Sequence, residues 1–238
     1  MMNDKYLIVI AGPTASGKTA TAITIAKALR TVIISADSRQ FYREIPIGTA
    51  APTREELSEV EHFMIHNLSI EDRYDVADYE KDVLLLLKKL FLNHDAVVMA
   101  GGSGLFIDAV CNGLDSIPDI SDETRNRVNA LYEKSGVVAL QNELQHLDPE
   151  YYEIVDKQNP RRLQRAIEVC YQTGLPYSSF RKNNTKERDF KIIKLALLWE
   201  RNELITRINK RVENMISDGL VEEARSVYHK RNLNSLNT

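Results

Sequence analysis

Residues 12–19 read GPTASGKT and satisfy G-x-x-x-x-G-K-S/T in full; directly before them lies Tyr6–Ala11 (YLIVIA), a β-branched run without alternation. A run of that kind fits a strand covered on both faces. The segment from about Thr19 to Leu29 reads as a helix, so the octapeptide stands in the strand-loop-helix setting that a phosphate-binding loop requires. Gly12 and Gly17 allow phosphate-facing backbone conformations on either side of Pro13, Thr14, Ala15 and Ser16. Successive N–H groups and the helix N-terminus hold an anion there, Lys18 supplies a charge, and the Thr19 hydroxyl can ligate Mg²⁺. The alternative, an ordinary glycine turn, is disfavoured by the flanking strand and helix. The motif fixes an anion site and leaves the reaction open.

Thr31–Ser35 (TVIIS) and Ala96–Met99 (AVVM) repeat the buried-strand pattern and end in Ala36-Asp37-Ser38 and Ala100-Gly101-Gly102. Polar loops therefore gather at the carboxyl ends of strands, where parallel α/β sheets bind ligands. Tyr79–Asn93 (YEKDVLLLLKKLFLN) is long and apolar enough for a crossover helix. From about 118 to 184 the pattern changes to short amphipathic helices, with Ser121-Asp122-Glu123-Thr124 as a helix start. Ile192–Trp199 (IIKLALLW) reads as a returning strand, and Asn202–Ser217 carries Leu204, Ile205, Ile208, Val212, Met215 and Ile216 on one stripe of a core helix. The expected fold is α/β: a P-loop NTPase-like parallel sheet flanked by helices, built from 1–117 and 185–238, with a small all-helical subdomain inserted at 118–184.

A chain of 238 residues, 43% apolar, can bury a full core, and its formal charge of −3 confines any nucleic-acid surface to a local patch. Cys111 and Cys170 form no CxxC pair, which argues against a disulfide framework or a structural zinc and for the cytoplasm. The N-terminal apolar run, about six residues, is too short for a signal segment or a membrane span. His62 and His66 have HxxxH spacing, but their segment alternates like a strand, where four residues do not converge two imidazoles on one ion.

The third strand ends in Ala100-Gly101-Gly102-Ser103, without the carboxylate that ATPases place there for Mg²⁺, and there is no NKxD-like guanine segment. Small-molecule kinases and group transferases remain. Asp37 is the carboxylate that should face the loop, although a cap or turn role suits it too.

Five segments, GPTASGKT, ISADSRQFYREIPIGTAAPT, AGGSGLF, NPRRLQRAIEV and RINKRVENMISDGLVEEAR, resemble the tRNA dimethylallyltransferases in order and over nearly the whole chain. The resemblance implies that the loop holds the diphosphate of dimethylallyl diphosphate and that the allyl group goes to the exocyclic amine of the adenine immediately 3′ of the anticodon. It implies Asp37 as base, with Lys18, Mg²⁺ on Thr19, and Arg211 stabilising the leaving diphosphate. Without the resemblance Arg211 reads as a solvated helix arginine. An adenine stacked in an anticodon loop must be extruded to react. Asp37, Ser38, Arg39 and Gln40 are implied to contact it and its neighbours, Gln40 having an amide suited to an adenine edge. Ser103 stands where the family more often has threonine, and Phe106 where tyrosine is common. Further implied tRNA contacts are Arg125, Arg161, Arg162, Leu163, Gln164 and Arg165. Arg161, Arg162 and Arg165, with Lys157, make a basic edge suited to RNA backbone, which on composition alone would serve solubility. The implied partners are the tRNA anticodon stem-loop and dimethylallyl diphosphate, bound by a monomer. Members of the family continue beyond the point where this chain ends, so a C-terminal part of the core is expected to be missing and transfer to be poor. The rivals are a P-loop small-molecule kinase, a prenyltransferase acting on free adenine nucleotides, and a non-catalytic RNA-binding protein.

Overall fold

The structure, a computed structural model, describes residues 4–181 and 185–236. It divides into two compact units, one formed by the chain up to Gly113 and from Lys186 onward, the other by Leu114–Thr185.

The first unit is built on five strands: β1 (Tyr6–Ala11), β2 (Ile33–Ser35), β3 (His62–Phe63), β4 (Ala96–Gly101) and β5 (Lys191–Ala196). Their order is β3-β2-β4-β1-β5 and every pairing is parallel. Parallel strands need crossovers, and α1 (Lys18–Leu29) and α3 (Val76–Leu90) supply two of them. One sheet face packs Leu7, Val9, Ile34, Val97 and Met99 against Tyr79, Val83 and Leu87 of α3 and against Ile107 and Val110 of α4 (Gly104–Asn112). The other face packs Ile10, Ile33 and Val98 against Ala22, Ile23 and Ala26 of α1. Covering both faces is why these strands read as unbroken apolar runs; each fully buried aliphatic side chain contributes about 1.5–3 kcal/mol.

Local chemistry moves some boundaries. α3 begins three residues before the expected Tyr79 because Asp75 accepts from the Ala77 and Asp78 N–H groups while Asp78 reaches back to the Asp75 N–H, a closed capping box. Thr31, expected to open β2, instead finishes α1: its N–H donates to Ala26 O and its hydroxyl to Ala96 O. α8 (Arg201–Ser217) is followed by α9 (Leu220–Val227). The α8 stripe is not the buried seam of a core helix: among the described residues Ile205, Val212 and Ile216 stay 44–55% exposed, and no residue of α8 is buried.

The second unit is helical: α5 (Asp122–Leu147), bent at Gly136 where φ is 70° and ψ −170°, then α6 (Pro149–Ile154) and α7 (Pro160–Thr173). Ser121 caps α5 by accepting from the Thr124 N–H. Val128, Leu140, Leu144, Leu163, Ala166 and Ile167 form its core. Asp148, 1% exposed, accepts from the N–H groups of Tyr151 and Ser178 and from the Ser178 hydroxyl, so its burial is fully compensated. Among the described residues no helix is long and apolar enough to cross a membrane.

Candidate active site

The loop between β1 and α1 carries the strain expected of a phosphate cradle. Ala15 has φ 59°, a left-handed conformation costly for a residue with a Cβ, and Gly17 caps α1 at φ 90°. A Cβ on Gly12 would lie 2.8 Å from Ser16 Oγ, so the loop closes only over a glycine. Lys18 Nζ arches back to donate to Gly12 O at 3.0 Å and Pro13 O at 2.8 Å. The Ser16 hydroxyl is buried with no partner, an orphaned polar atom within this cradle.

The cradle opens on a cavity of ≈ 870 Å³ that Asp37, Ser38, Gln40, Gly102 and Ser103 also line, with Arg207, Lys210 and Arg211 of α8 on its rim. A Cβ on Gly102 would lie 3.9 Å from Lys18 Nζ and 4.0 Å from Asp37 Oδ2, so a bare glycine leaves the gap between lysine and aspartate open. On Gly101 the added atom would meet Ala36 O at 2.0 Å, which shows how closely β2 and β4 bring their ends together. Asp37 Oδ1 accepts from the Arg39 N–H at 3.0 Å. Ser103 Oγ accepts from the Ser38 N–H at 3.0 Å and donates to Ser38 Oγ at 3.2 Å, fixing the turn that carries Asp37.

Three charges feel one another here. Burial pushes the Lys18 ammonium below the ordinary lysine range, Asp37 counters it, and Arg211 adds to the depression. Burial likewise pulls the Arg211 guanidinium down while Asp37 pulls it up. Arg211 therefore faces the cavity instead of bulk solvent. Thr19 lines the same space, and its single hydroxyl suits Mg²⁺, which keeps several waters and takes its remaining ligands from phosphate oxygens.

Gln40 lies beside Asp37 with its amide already engaged: Oε1 accepts from Ser35 Oγ at 2.9 Å, and Nε2 donates to Ala50 O at 3.1 Å. Its amide is therefore braced within the chain, with Thr49 O also within 3.4 Å of Nε2. Arg39 donates through Nη1 to Ser235 O and lines a second cavity of ≈ 440 Å³, together with Asp37, Gly48, Thr49, Leu220 and Glu223. Phe106 packs on Tyr79 at 4.9 Å and on Phe41 at 5.7 Å between ring centroids.

In the helical unit Asn159 caps α7 by accepting from the Arg162 N–H, and Arg161 and Arg162 are exposed on its first turn. Arg165 pairs with Glu168 at 3.8 Å; burial raises the Glu168 carboxyl while Arg165 and Arg125 lower it, so both arginines lie near that carboxylate. Gln164 Nε2 donates to Asn129 Oδ1 at 3.0 Å. Leu163 overturns its expected role: at 0% exposure it belongs to the core of this unit, because helical periodicity turns it inward between exposed neighbours, and it cannot touch RNA.

Residues 40–238 match the family described as IPP transferase. The chain belongs to the IPP transferase family. It is similar to tRNA dimethylallyltransferase 1 of Phocaeicola vulgatus, 53% identical over 232 residues that cover 98% of this chain and 77% of that protein. Among solved structures it is similar to the full-length tRNA isopentenylpyrophosphate transferase of Bacillus halodurans, 32% identical with a TM-score of 0.64, over 98% of this chain and 74% of that one. A eukaryotic dimethylallyltransferase acting on tRNA shares the fold, with a TM-score of 0.77 at 23% identity over 97% of this chain and 57% of that one.

The fold also brings to this site residues that carry no local sequence signal. Glu223 on α9 accepts from the N–H groups of Ile47 and Gly48, each at 2.7 Å, and holds the loop whose carbonyls bind Gln40. A Cβ on Gly48 would stand 3.1 Å from Glu223 Oε1. No local pattern marks that contact, since 175 positions separate the partners. Trp199 and Arg207 reach the phosphate loop in the same non-local way: Trp199 Nε1 donates to Ser16 O at 2.9 Å and Arg207 Nε to Ala15 O at 2.7 Å.

Proposed function

We infer that this IPP transferase transfers the dimethylallyl group of dimethylallyl diphosphate to the exocyclic amine of a tRNA adenine, the one immediately 3′ of the anticodon, and releases diphosphate. The observation that carries this reading is the placement of Lys18 and the Asp37 carboxylate together beside bare Gly102, in a cavity walled by a phosphate loop. The loop amides, Lys18 and Arg211 hold the diphosphate with its allylic carbon toward Asp37. The amine nitrogen attacks that carbon, the carbon–oxygen bond breaks with its electron pair leaving on the diphosphate, and Asp37 takes the proton that the new ammonium sheds. Lys18 and Arg211 gain most as charge grows on the departing oxygens, which is where preorganised cations accelerate a reaction. Thr19 would hold Mg²⁺, which supplies further neutralisation of the diphosphate.

Asp37 lines both cavities, so its carboxylate stands between the anion cradle and the space beside α9 that receives the extruded base. With its amide engaged, Gln40 acts as a brace of that wall. Arg125, Arg161, Arg162 and Arg165, on the helical unit, hold backbone phosphates of the anticodon stem-loop; such contacts position RNA while the pocket selects the base. Gln164 supports them through Asn129. The enzyme acts as a monomer in the cytoplasm, where both of its free cysteines stay reduced.

Radiolabelled dimethylallyl diphosphate, offered with unmodified tRNA, AMP and ATP, tests the assignment. Label is expected on tRNA alone. Label on the free nucleotides would replace the acceptor, and phosphoryl transfer without allyl transfer would replace the reaction class.

A further inference from the structure

The phosphate loop is held at two consecutive peptides by side chains from outside it. Arg207 Nε donates to Ala15 O at 2.7 Å, and Trp199 Nε1 donates to Ser16 O at 2.9 Å. The two donors are themselves coupled, since the Arg207 guanidinium stacks 4.1 Å from the centroid of the Trp199 ring. Arg207 Nη2 lies 3.7 Å from where a Gly17 Cβ would sit, next to the N-terminus of α1. In a planar trans peptide the C=O and the following N–H point in opposite directions. Fixing Ser16 O on the indole therefore turns the Gly17 N–H the other way, toward the cavity that Gly17 lines. Fixing Ala15 O on the guanidinium likewise turns the Ser16 N–H away from Arg207, where it donates to Pro13 O at 3.3 Å and closes the loop. Ala15 sits at φ 59°, a conformation that persists only where its surroundings enforce it.

We propose that Trp199 and Arg207 form a strap that holds the phosphate loop in its anion-binding shape, making both positioning residues for the allyl donor. Arg207 acts through the loop carbonyl and its stack on the indole, a role distinct from that of Arg211, whose charge reaches Lys18 directly. The inference rests on the reading that the loop binds diphosphate, and the test separates the two.

Inorganic pyrophosphate binding is measured by calorimetry on the wild type and on W199F, R207Q and R207K, with tRNA binding measured beside it. Phenylalanine keeps a ring for the guanidinium and removes only the indole N–H; glutamine keeps a donor without charge; lysine keeps charge without the planar stack. Pyrophosphate affinity is expected to fall roughly three- to tenfold in all three, a range set by the usual net worth of one hydrogen bond. The KM for dimethylallyl diphosphate rises in parallel, with tRNA affinity unchanged. Pyrophosphate affinity equal to wild type in W199F and R207Q overturns the strap, as does full recovery by R207K, which would make Arg207 a plain charge. A matched loss of pyrophosphate and tRNA binding with a lowered melting temperature overturns it in favour of general support of the fold. A wild-type protein that does not bind pyrophosphate overturns the diphosphate reading of the loop and the strap with it.

Discussion

Lys18 and Arg211 share one cavity with Asp37, where burial weakens both cations and the Asp37 carboxylate supports them, whereas Arg161 and Arg162 stand exposed on the first turn of a helix in the other unit. Both sets carry phosphate-binding chemistry, but in different media. In the cavity, desolvation has already raised the cost of each charge, so an arriving diphosphate meets cations held at short range and poorly screened by water. On α7 the guanidiniums are solvated, and any one contact counts for little; their strength comes from several acting together and from the counterions that RNA releases. On the proposed reading, the first arrangement directs chemistry at one bond and the second holds the RNA in register.

The sharpest way to break that contrast is to remove the Asp37 carboxylate from the cavity. Asp37→Ala should lower turnover by about 10²–10⁴, the usual worth of a positioned general base. Pyrophosphate binding, which depends on the cations and loop amides, should stay within about twofold of wild type. Single-turnover transfer to tRNA and calorimetry on the same preparation read both quantities, and near-normal turnover would remove Asp37 from the reaction. Next in size is Leu163→Ala. A fully buried leucine truncated to alanine costs about 2–5 kcal/mol, so the helical unit should melt earlier and tRNA affinity fall along with it. Lost tRNA affinity at an unchanged melting temperature would restore Leu163 as an RNA contact.

These two residues also show what the sequence could and could not reveal. The phosphate loop, Asp37 and the strands that carry them were legible because each depends on a short contiguous pattern: a glycine spacing, a β-branched run, a polar turn where a strand stops. The parallel α/β sheet followed from the same signals. Leu163 shares a contiguous motif with its arginine neighbours, but the 3.6-residue period puts it on the inward face with Ala166 and Ile167, well round the helix from Arg161. The family resemblance implies Gln40 as a base contact, but Ser35, Thr49 and Ala50 engage its amide, and only the folded chain brings them to it. Glu223, Trp199 and Arg207 escaped notice for the same reason, since their partners lie 175–192 positions away. The α8 stripe was legible as amphipathic, yet periodicity says nothing of how much of a stripe is covered.

The contrast sharpens further with pH. Burial has lowered the Lys18 pKa from the ordinary 10.5, so its ammonium is lost earlier than an exposed lysine's as pH rises. Pyrophosphate affinity, measured in metal-free buffer, should therefore begin to decline with rising pH before pH 10.5 is reached. Asp37→Asn removes the carboxylate that supports the charge, so the decline should start at lower pH; Arg211→Gln removes a repelling cation and should move it higher. An alkaline limb indifferent to both substitutions would mean that these charges do not share one site.

The smallest effect belongs to the exposed set, and its signature is ionic strength more than magnitude. Arg162→Ala should weaken tRNA binding only about threefold at moderate salt, the scale of one solvated ion pair. If Arg162 neutralises one phosphate, the slope of log affinity against log salt should become shallower by about 0.7–0.9, and Arg161→Ala combined with it by roughly twice that. Turnover at saturating tRNA should be unchanged, because neither side chain lines the cavity that holds Lys18 and Asp37. A salt slope that stays put while affinity falls would mean that the α7 arginines act on the packing of their own unit instead of on RNA phosphates, and the division between a desolvated cradle and a solvated clamp would have to be redrawn.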